Sequence, residues 1–125
     1  MYTLEINGKN YPLNFGFDFM KKMNNKLTRY DDGLGTEEKI GLQYAIAAVM
    51  DKDVEQLVDV IMTANATESD KINRKELIEW LENDDTDIDA VFEAVDGFFA
   101  KANCTKNEHR KVVKMVQAGE EITEA

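Results

Sequence analysis

The first fifteen residues constrain the fold more than any other stretch. Tyr2, Leu4 and Ile6 alternate with Thr3 and Glu5, Asn7-Gly8 follows, and Tyr11, Leu13 and Phe15 alternate on the return. Alternation at period two marks half-buried strands, and Asn-Gly supplies the positive φ angles of a tight two-residue turn. With that turn, Leu4 falls opposite Tyr11 and Tyr2 opposite Leu13, which gathers the large apolar groups on one face. Two strands alone are marginal in water, so helices or another subunit must cover that face. Pro12 lacks an amide hydrogen and places its strand at an edge, or its own position on the outward-bonding side.

After Phe15 the period changes to that of helices. Phe17, Phe19, Met20, Met23 and Leu27 predict a helix from about Phe17 to Arg29, with Asp18 in its first turn. Tyr30 to Gly35 reads as a loop. Thr36, followed by Glu37 and Glu38, reads as the cap of a second helix with Ile40, Tyr44, Ala47 and Ala48 on its core face. Asp53 with Gln56 opens a third helix carrying Val54, Leu57, Val58, Ile61 and Met62 on one stripe. The polar run Asn65 to Asp70 breaks it. Asn73 with Glu76 caps a fourth helix (Leu77, Ile78, Leu81), and Thr86 with Asp89 a fifth (Val91, Phe92, Val95, Phe98, Phe99, Ala102). Thr105 with Glu108 starts a sixth helix, which runs through Val112, Val113 and Val116 to a stop at Gly119. The expected architecture is mainly α: a β-hairpin over 1–16 and a helical bundle over 17–119 in one domain of 1–119, with 120–125 a flexible C-terminal tail.

Charge narrows the function. The 125 residues carry 15 Lys and Arg against 25 Asp and Glu, a formal net charge of −10. Residues 1–30 hold five basic and two acidic side chains, 31–100 five and nineteen, and 101–125 five and four, so the acidity belongs to the middle. Such a chain is expected to bind neither phosphate backbones nor anionic membranes. No apolar run approaches the roughly 20 residues of a membrane span, and the first residues lack the basic-then-apolar plan of a signal peptide, which reads as cytoplasmic. One cysteine, Cys104, leaves no internal disulfide to staple the fold.

Chemistry-bearing patterns are weak. Asp84-Asp85-Thr86-Asp87-Ile88-Asp89 has the alternating oxygens of a calcium loop, but Ala90 stands where glycine is required and Asp96 where a bidentate glutamate belongs. A capped helix start explains it better. His109 is the single histidine and reads as solvent-facing, while Cys104 reads as a small buried hydrophobe, so no zinc set forms. Gly33-Leu34-Gly35 lacks the spacing of a phosphate cradle, and Glu79 with Glu82 reads as a solvated pair. No cofactor, metal site or enzymatic activity is expected. Apolar groups beyond a single stripe suggest instead a partner face of Phe15, Phe17, Trp80, Phe98 and Phe99, because adjacent Phe98 and Phe99 cannot both point inward from one narrow stripe. The hairpin edge is a candidate for self-association.

The run Leu4-x-Ile6-Asn7-Gly8-Lys9-x-Tyr11-Pro12-Leu13-x-Phe15-Gly16-Phe17-x-Phe19, with a short helix ending near Asn25-Lys26, resembles the tail assembly chaperones of long-tailed phages (siphophages) infecting Gram-positive bacteria. The Asp32-Gly33-Leu34 loop, the Thr36 helix, the Asp53-capped helix and the Asp87 to Phe99 helix follow in the expected order over most of residues 4–106. The resemblance implies a small, acidic, largely helical protein that binds and solubilises the phage tape measure protein while the tail tube polymerises around it. It further implies action in the host bacterial cytoplasm and absence from the mature virion. The tail tube protein, further copies of itself and a frameshifted longer form of itself are implied as partners, this chain being the short form. Two other readings stand beside it: an acidic inhibitor that mimics nucleic acid to block a host protein, and a calcium-responsive helical module.

Overall fold

The computed structural model describes residues 2–124, and side-chain surroundings through Gly119. Strands β1 (Tyr2–Ile6) and β2 (Lys9–Leu13) form the expected antiparallel hairpin, with Leu4 opposite Tyr11 and Tyr2 opposite Leu13. Asn7 (φ 52°) and Gly8 (φ 82°) make the turn. Leu4, Ile6, Tyr11 and Leu13 are buried, so the face that demanded a cover has one. Each such side chain contributes about 1.5–3 kcal/mol on burial.

Six helices follow: α1 (Phe17–Asn25), α2 (Gly41–Met50), α3 (Val54–Asn65), α4 (Arg74–Glu82), α5 (Ile88–Lys101) and α6 (Lys106–Glu124). The fold is mainly α with small two-stranded sheets, and one core cluster gathers the hairpin face with side chains from all six helices. The hairpin is tied down at its return end. The Asn14 amide donates to the Ala64 carbonyl (2.8 Å), and the buried Asn65 amide donates to the carbonyls of Pro12 (3.0 Å) and Asp70 (2.9 Å) while its Oδ1 accepts from the Ile72 amide (2.8 Å). At the turn end, Lys9 pairs with Asp70 at 3.0 Å, and that hydrogen bond, reinforced by the carboxylate's charge, raises the lysine pKa.

A second hairpin replaces part of the expected helical stretch. Strands β3 (Thr28–Asp31) and β4 (Thr36–Lys39) pair antiparallel, Thr28 with Lys39 and Tyr30 with Glu37. The first helix therefore ends at Asn25 instead of Arg29, and Thr36 is a strand residue instead of a cap. Asparagine forms helix poorly, and Asn24 has other work: its Oδ1 accepts from the Leu42 amide (3.1 Å) and so caps α2 from a neighbouring helix. The two helices approach so closely there that a Cβ on Gly41 would lie 1.7 Å from the Met23 carbonyl oxygen. Every residue of β3 and β4 is exposed; Asp31 Oδ1 accepts from the Gly33 and Leu34 amides to shape the turn, and Arg29 pairs with Glu38 at 2.7 Å.

Caps explain the remaining boundaries. Asp53 accepts from the Gln56 amide (3.2 Å) and Asn73 from the Glu76 amide (3.0 Å), as expected. The cap of α5 is Asp87, which accepts from the Ala90 amide (3.1 Å), and not Thr86, whose hydroxyl donates to the Trp80 carbonyl (2.7 Å). Thr105 directly precedes α6, but its buried hydroxyl donates back to the Phe99 carbonyl (2.8 Å) and, among the described hydrogen bonds, accepts none from Glu108. Gly119 does not stop α6, whose backbone continues to Glu124. Of the tail expected over 120–125, Ala125 and the side chains of 120–124 lie outside the described residues.

Two substitutions and a control test this framework by urea denaturation. Asn65→Ala strands buried backbone groups and is expected to cost about 3 kcal/mol. Gly41→Ala must force α1 and α2 apart and is expected to cost at least about 1–3 kcal/mol, whereas Gly97→Ala, with open space at its Cβ position, leaves the midpoint unchanged or raises it.

Candidate functional site

The five residues expected to form a partner face do not lie together on the surface. Phe15 and Phe99 are core residues, 3% and 0% exposed, and Phe98 is half-buried. They belong to a ring cluster with Tyr2 and Phe19: Phe15 lies 4.9 Å from Phe19 and 5.6 Å from Phe98 and Phe99, and Tyr2 lies 4.9 Å from Phe98. Adjacent Phe98 and Phe99 are both sheltered because Tyr2 and Phe15 from the hairpin region wrap a second side of α5. Trp80 is half-buried against the core, apart from this cluster. Only Phe17 stands open, at 63%.

The exposed apolar surface lies elsewhere, between α2 and α6. Ile40, Gln43, Tyr44 and Ala47 form one wall of an open groove, and Val112, Met115 and Val116 the other, around a volume of about 300 Å3. Val112 is buried at its base, while Tyr44, Met115 and Val116 are 48%, 48% and 39% exposed. Gln43 reaches across to the Met115 sulfur at 3.5 Å. Ile40, Tyr44 and Ala47 are three of the four residues that helical periodicity assigned to the core. The core side of α2 is instead Leu42, Ala45, Ile46, Ala48 and Val49. With apolar residues on both sides, α2 is a helix that cannot be satisfied by one packing face, and that all-round apolarity is the signal in the sequence that marks the groove. Leu27 extends the strip, sharing a neighbouring hollow with Tyr44, Met23 and Gly41.

A larger hollow of about 450 Å3 on α3 and α4 is lined by Glu55, Asp59 and Arg74 as well as Val54, Val58 and Ile78. Its charged rim suits solvent. The α2–α6 groove holds no acid, base or nucleophile apart from the Tyr44 hydroxyl, so its chemistry is that of binding. Its size is at the bottom of the range for small-molecule sites, and its open form suits side chains from a partner's helix or loop.

The charged residues singled out in the sequence serve the scaffold. Asp87 caps α5 and Asp89 pairs with Lys52 at 2.9 Å, a contact that raises the lysine pKa through the hydrogen bond and then the charge. His109 is not solvent-facing: its side chain is 14% exposed and its Nε2 lies 2.9 Å from Asp96 Oδ1, which joins α5 to α6. Cys104 is half-buried. Among the described residues no group of three or more His, Cys, Asp or Glu is placed to hold a metal ion, and no helix is long and apolar enough to cross a membrane.

A family model described as phage tail assembly chaperone protein matches residues 3–114. Searches of the curated proteins and of the solved structures find no significant match. The matched stretch contains the hairpin, α2 and the first two turns of α6, and so most of the groove; only Met115 and Val116 fall beyond it.

Replacing groove-rim side chains separates surface from core. Met115→Ser and Val116→Ser are expected to shift stability by less than about 0.5 kcal/mol, and to lower the fluorescence of a bound apolar dye. Val112→Ala at the groove base is expected to cost about 1–2 kcal/mol in the same urea titration.

Proposed function

The chain belongs to the phage tail assembly chaperone family, and from that premise we propose that it binds the tape measure protein and keeps it soluble until the tail tube encloses it. The single observation that carries this reading beyond the family is the uncharged apolar groove between α2 and α6, open on a chain of net charge −10. A long helical client exposes apolar stripes before it is enclosed. A groove of Ile40, Tyr44, Ala47, Met115 and Val116 accepts such a stripe in the manner of a helix laid between two helices. The acidic outer surface keeps a client covered by many copies dispersed through mutual repulsion.

Phe17, the one exposed member of the expected aromatic face, is a second contact point in this reading, whereas Phe15 and Phe99 lie in the core. The role is one of binding, without a catalytic step, and its setting is the infected bacterial cell. The family supports this reading over a nucleic-acid mimic, as do carboxylates committed to local work: Asp31 in a turn, Asp53 and Asp87 at helix caps, Asp59 with Lys26.

Co-expression with the tape measure protein tests the proposal. The wild-type chain is expected to move the tape measure protein from the pellet to the soluble fraction and to co-purify with it. Met115→Asp, at a half-exposed site and with an unchanged urea midpoint as the check on its folding, is expected to reduce recovery of the soluble complex at least about tenfold, the effect of losing some 1.4 kcal/mol of binding. A tape measure protein as soluble without the chain as with it would remove the proposal.

A further inference from the structure

We infer that the β3–β4 hairpin is a docking arm for a lysine- or arginine-bearing segment of a partner protein, held by the Tyr30 ring and the Glu37 carboxylate. The inference rests on the preceding reading for its client and adds the client's chemistry, an apolar stretch with basic residues beside it. No residue of β3 or β4 is buried, and Tyr30 and Leu34 are 60% and 77% exposed. A two-stranded ribbon gains little from displaying such groups to water, and they suit a contact with another molecule. The Asp31 turn and the Arg29–Glu38 pair hold the ribbon in shape before any partner arrives, which lowers the ordering cost of docking.

Register separates the two faces of the ribbon. Side chains alternate along a strand, so Arg29 and Glu38, which stand opposite each other, share one face, and Tyr30 and Glu37 share the other. The first face neutralises itself through a 2.7 Å ion pair. On the second, side chains directly opposite have Cβ atoms about 4.5–5.5 Å apart, and among the described residues Glu37 enters no ion pair. An aromatic ring beside an unpaired carboxylate is a receptor for a cation. The ring face attracts the charge, the carboxylate accepts a charge-assisted hydrogen bond, and the aliphatic stem of a lysine or arginine covers the ring. Residues 28–39 carry Arg29 and Lys39 against Asp31, Asp32, Glu37 and Glu38, a net −2, so the field of the arm favours the same sign of partner. Lys39, opposite Thr28 at the root, is the like charge on this face and confines an incoming cation to the tip half. The root adjoins the groove: Ile40 lines the groove, and its amide donates to the Leu27 carbonyl (3.0 Å) at the foot of the ribbon. A client segment seated at that end lies beside the foot of an arm about 13 Å long, which takes the residues flanking its apolar stretch.

The probe is an amphipathic helical peptide of leucine and lysine, titrated into the intact chain by calorimetry, with a leucine–glutamate peptide of equal length as control. The lysine peptide is expected to bind, more weakly as salt rises, and to slow hydrogen exchange at the amides of residues 28–39, while the glutamate peptide does not bind. Glu37→Gln, which keeps the shape of the side chain, and Tyr30→Ser are each expected to weaken binding about three- to fivefold, the range of an exposed ion pair or cation–π contact. Asp85→Asn removes the same unit of charge from an exposed site in another acidic stretch and is expected to bind like wild type. Unchanged urea midpoints check the folding of all three variants. Equal losses in Glu37→Gln and Asp85→Asn, the mark of general attraction to an acidic chain, would overturn the inference, as would a lysine peptide that does not bind, a glutamate peptide that binds as well, or arm amides whose exchange is unchanged. Tape measure capture on co-expression keeps the two readings apart. Capture by wild type with a negative peptide result removes the arm and leaves the chaperone reading standing, while a positive peptide result without capture keeps the arm and removes the tape measure protein as its client.

Discussion

A single buried amide holds the two halves of the molecule in register. Asn65 ends α3, and its side chain answers three backbone groups: the Pro12 carbonyl of β2, and the Asp70 carbonyl and Ile72 amide of the segment leading to α4. An unpaired group of this kind in a dry interior costs about 1–3 kcal/mol, so the three bonds act less as attraction than as a filter against other packings. They decide where the hairpin sits on α3. The hairpin's position in turn places Tyr2 and Phe15 over α5, and that ring cluster makes two adjacent phenylalanines compatible with one helix.

What the sequence disclosed follows from how local each signal is. The first hairpin was legible because Asn7-Gly8 and the alternation around it are both short-range and agree with burial. The caps at Asp53 and Asn73 were legible for the same reason. At Thr86 and Thr105 the residue type was right for a cap, but the hydroxyls are used by the Trp80 and Phe99 carbonyls, a choice made by distant packing. The β3–β4 hairpin was misread because nothing in it is buried, so it carries no alternation, while Thr36-Glu37-Glu38 imitates a helix start. His109 looked solvent-facing because Asp96, its partner, sits on another helix.

The groove has the same origin. Residues around position 44 and residues around position 115 are far apart in the chain, and only the packing of α2 against α5 and α6 brings them together. The stripe Ile40, Tyr44, Ala47 has helical spacing and apolar side chains, everything a core face has, yet α2 turns its other side inward. A helix that is apolar nearly all round, in a protein too small to surround it, leaves part of its surface for another molecule. In the proposed role the acidic charge of the central residues has a simple part: it offsets the tendency of that surface to drive indiscriminate aggregation.

The seating of α6 on the core governs how wide that surface stands open. Thr105 turns inward to Phe99, and Val112 and the His109–Asp96 contact are the fixed points on which the helix rests. Past Val112 the described side chains of α6 are half-buried at most. The helix is therefore a lever with its fulcrum at Val112: from there to Gly119 it extends about 10 Å, so a pivot of ~10° would carry Gly119 by roughly 2 Å. Val116, one turn beyond that fulcrum, would move by about 1 Å against Tyr44, so the bore of the groove is set by how firmly Val112 is seated in the core.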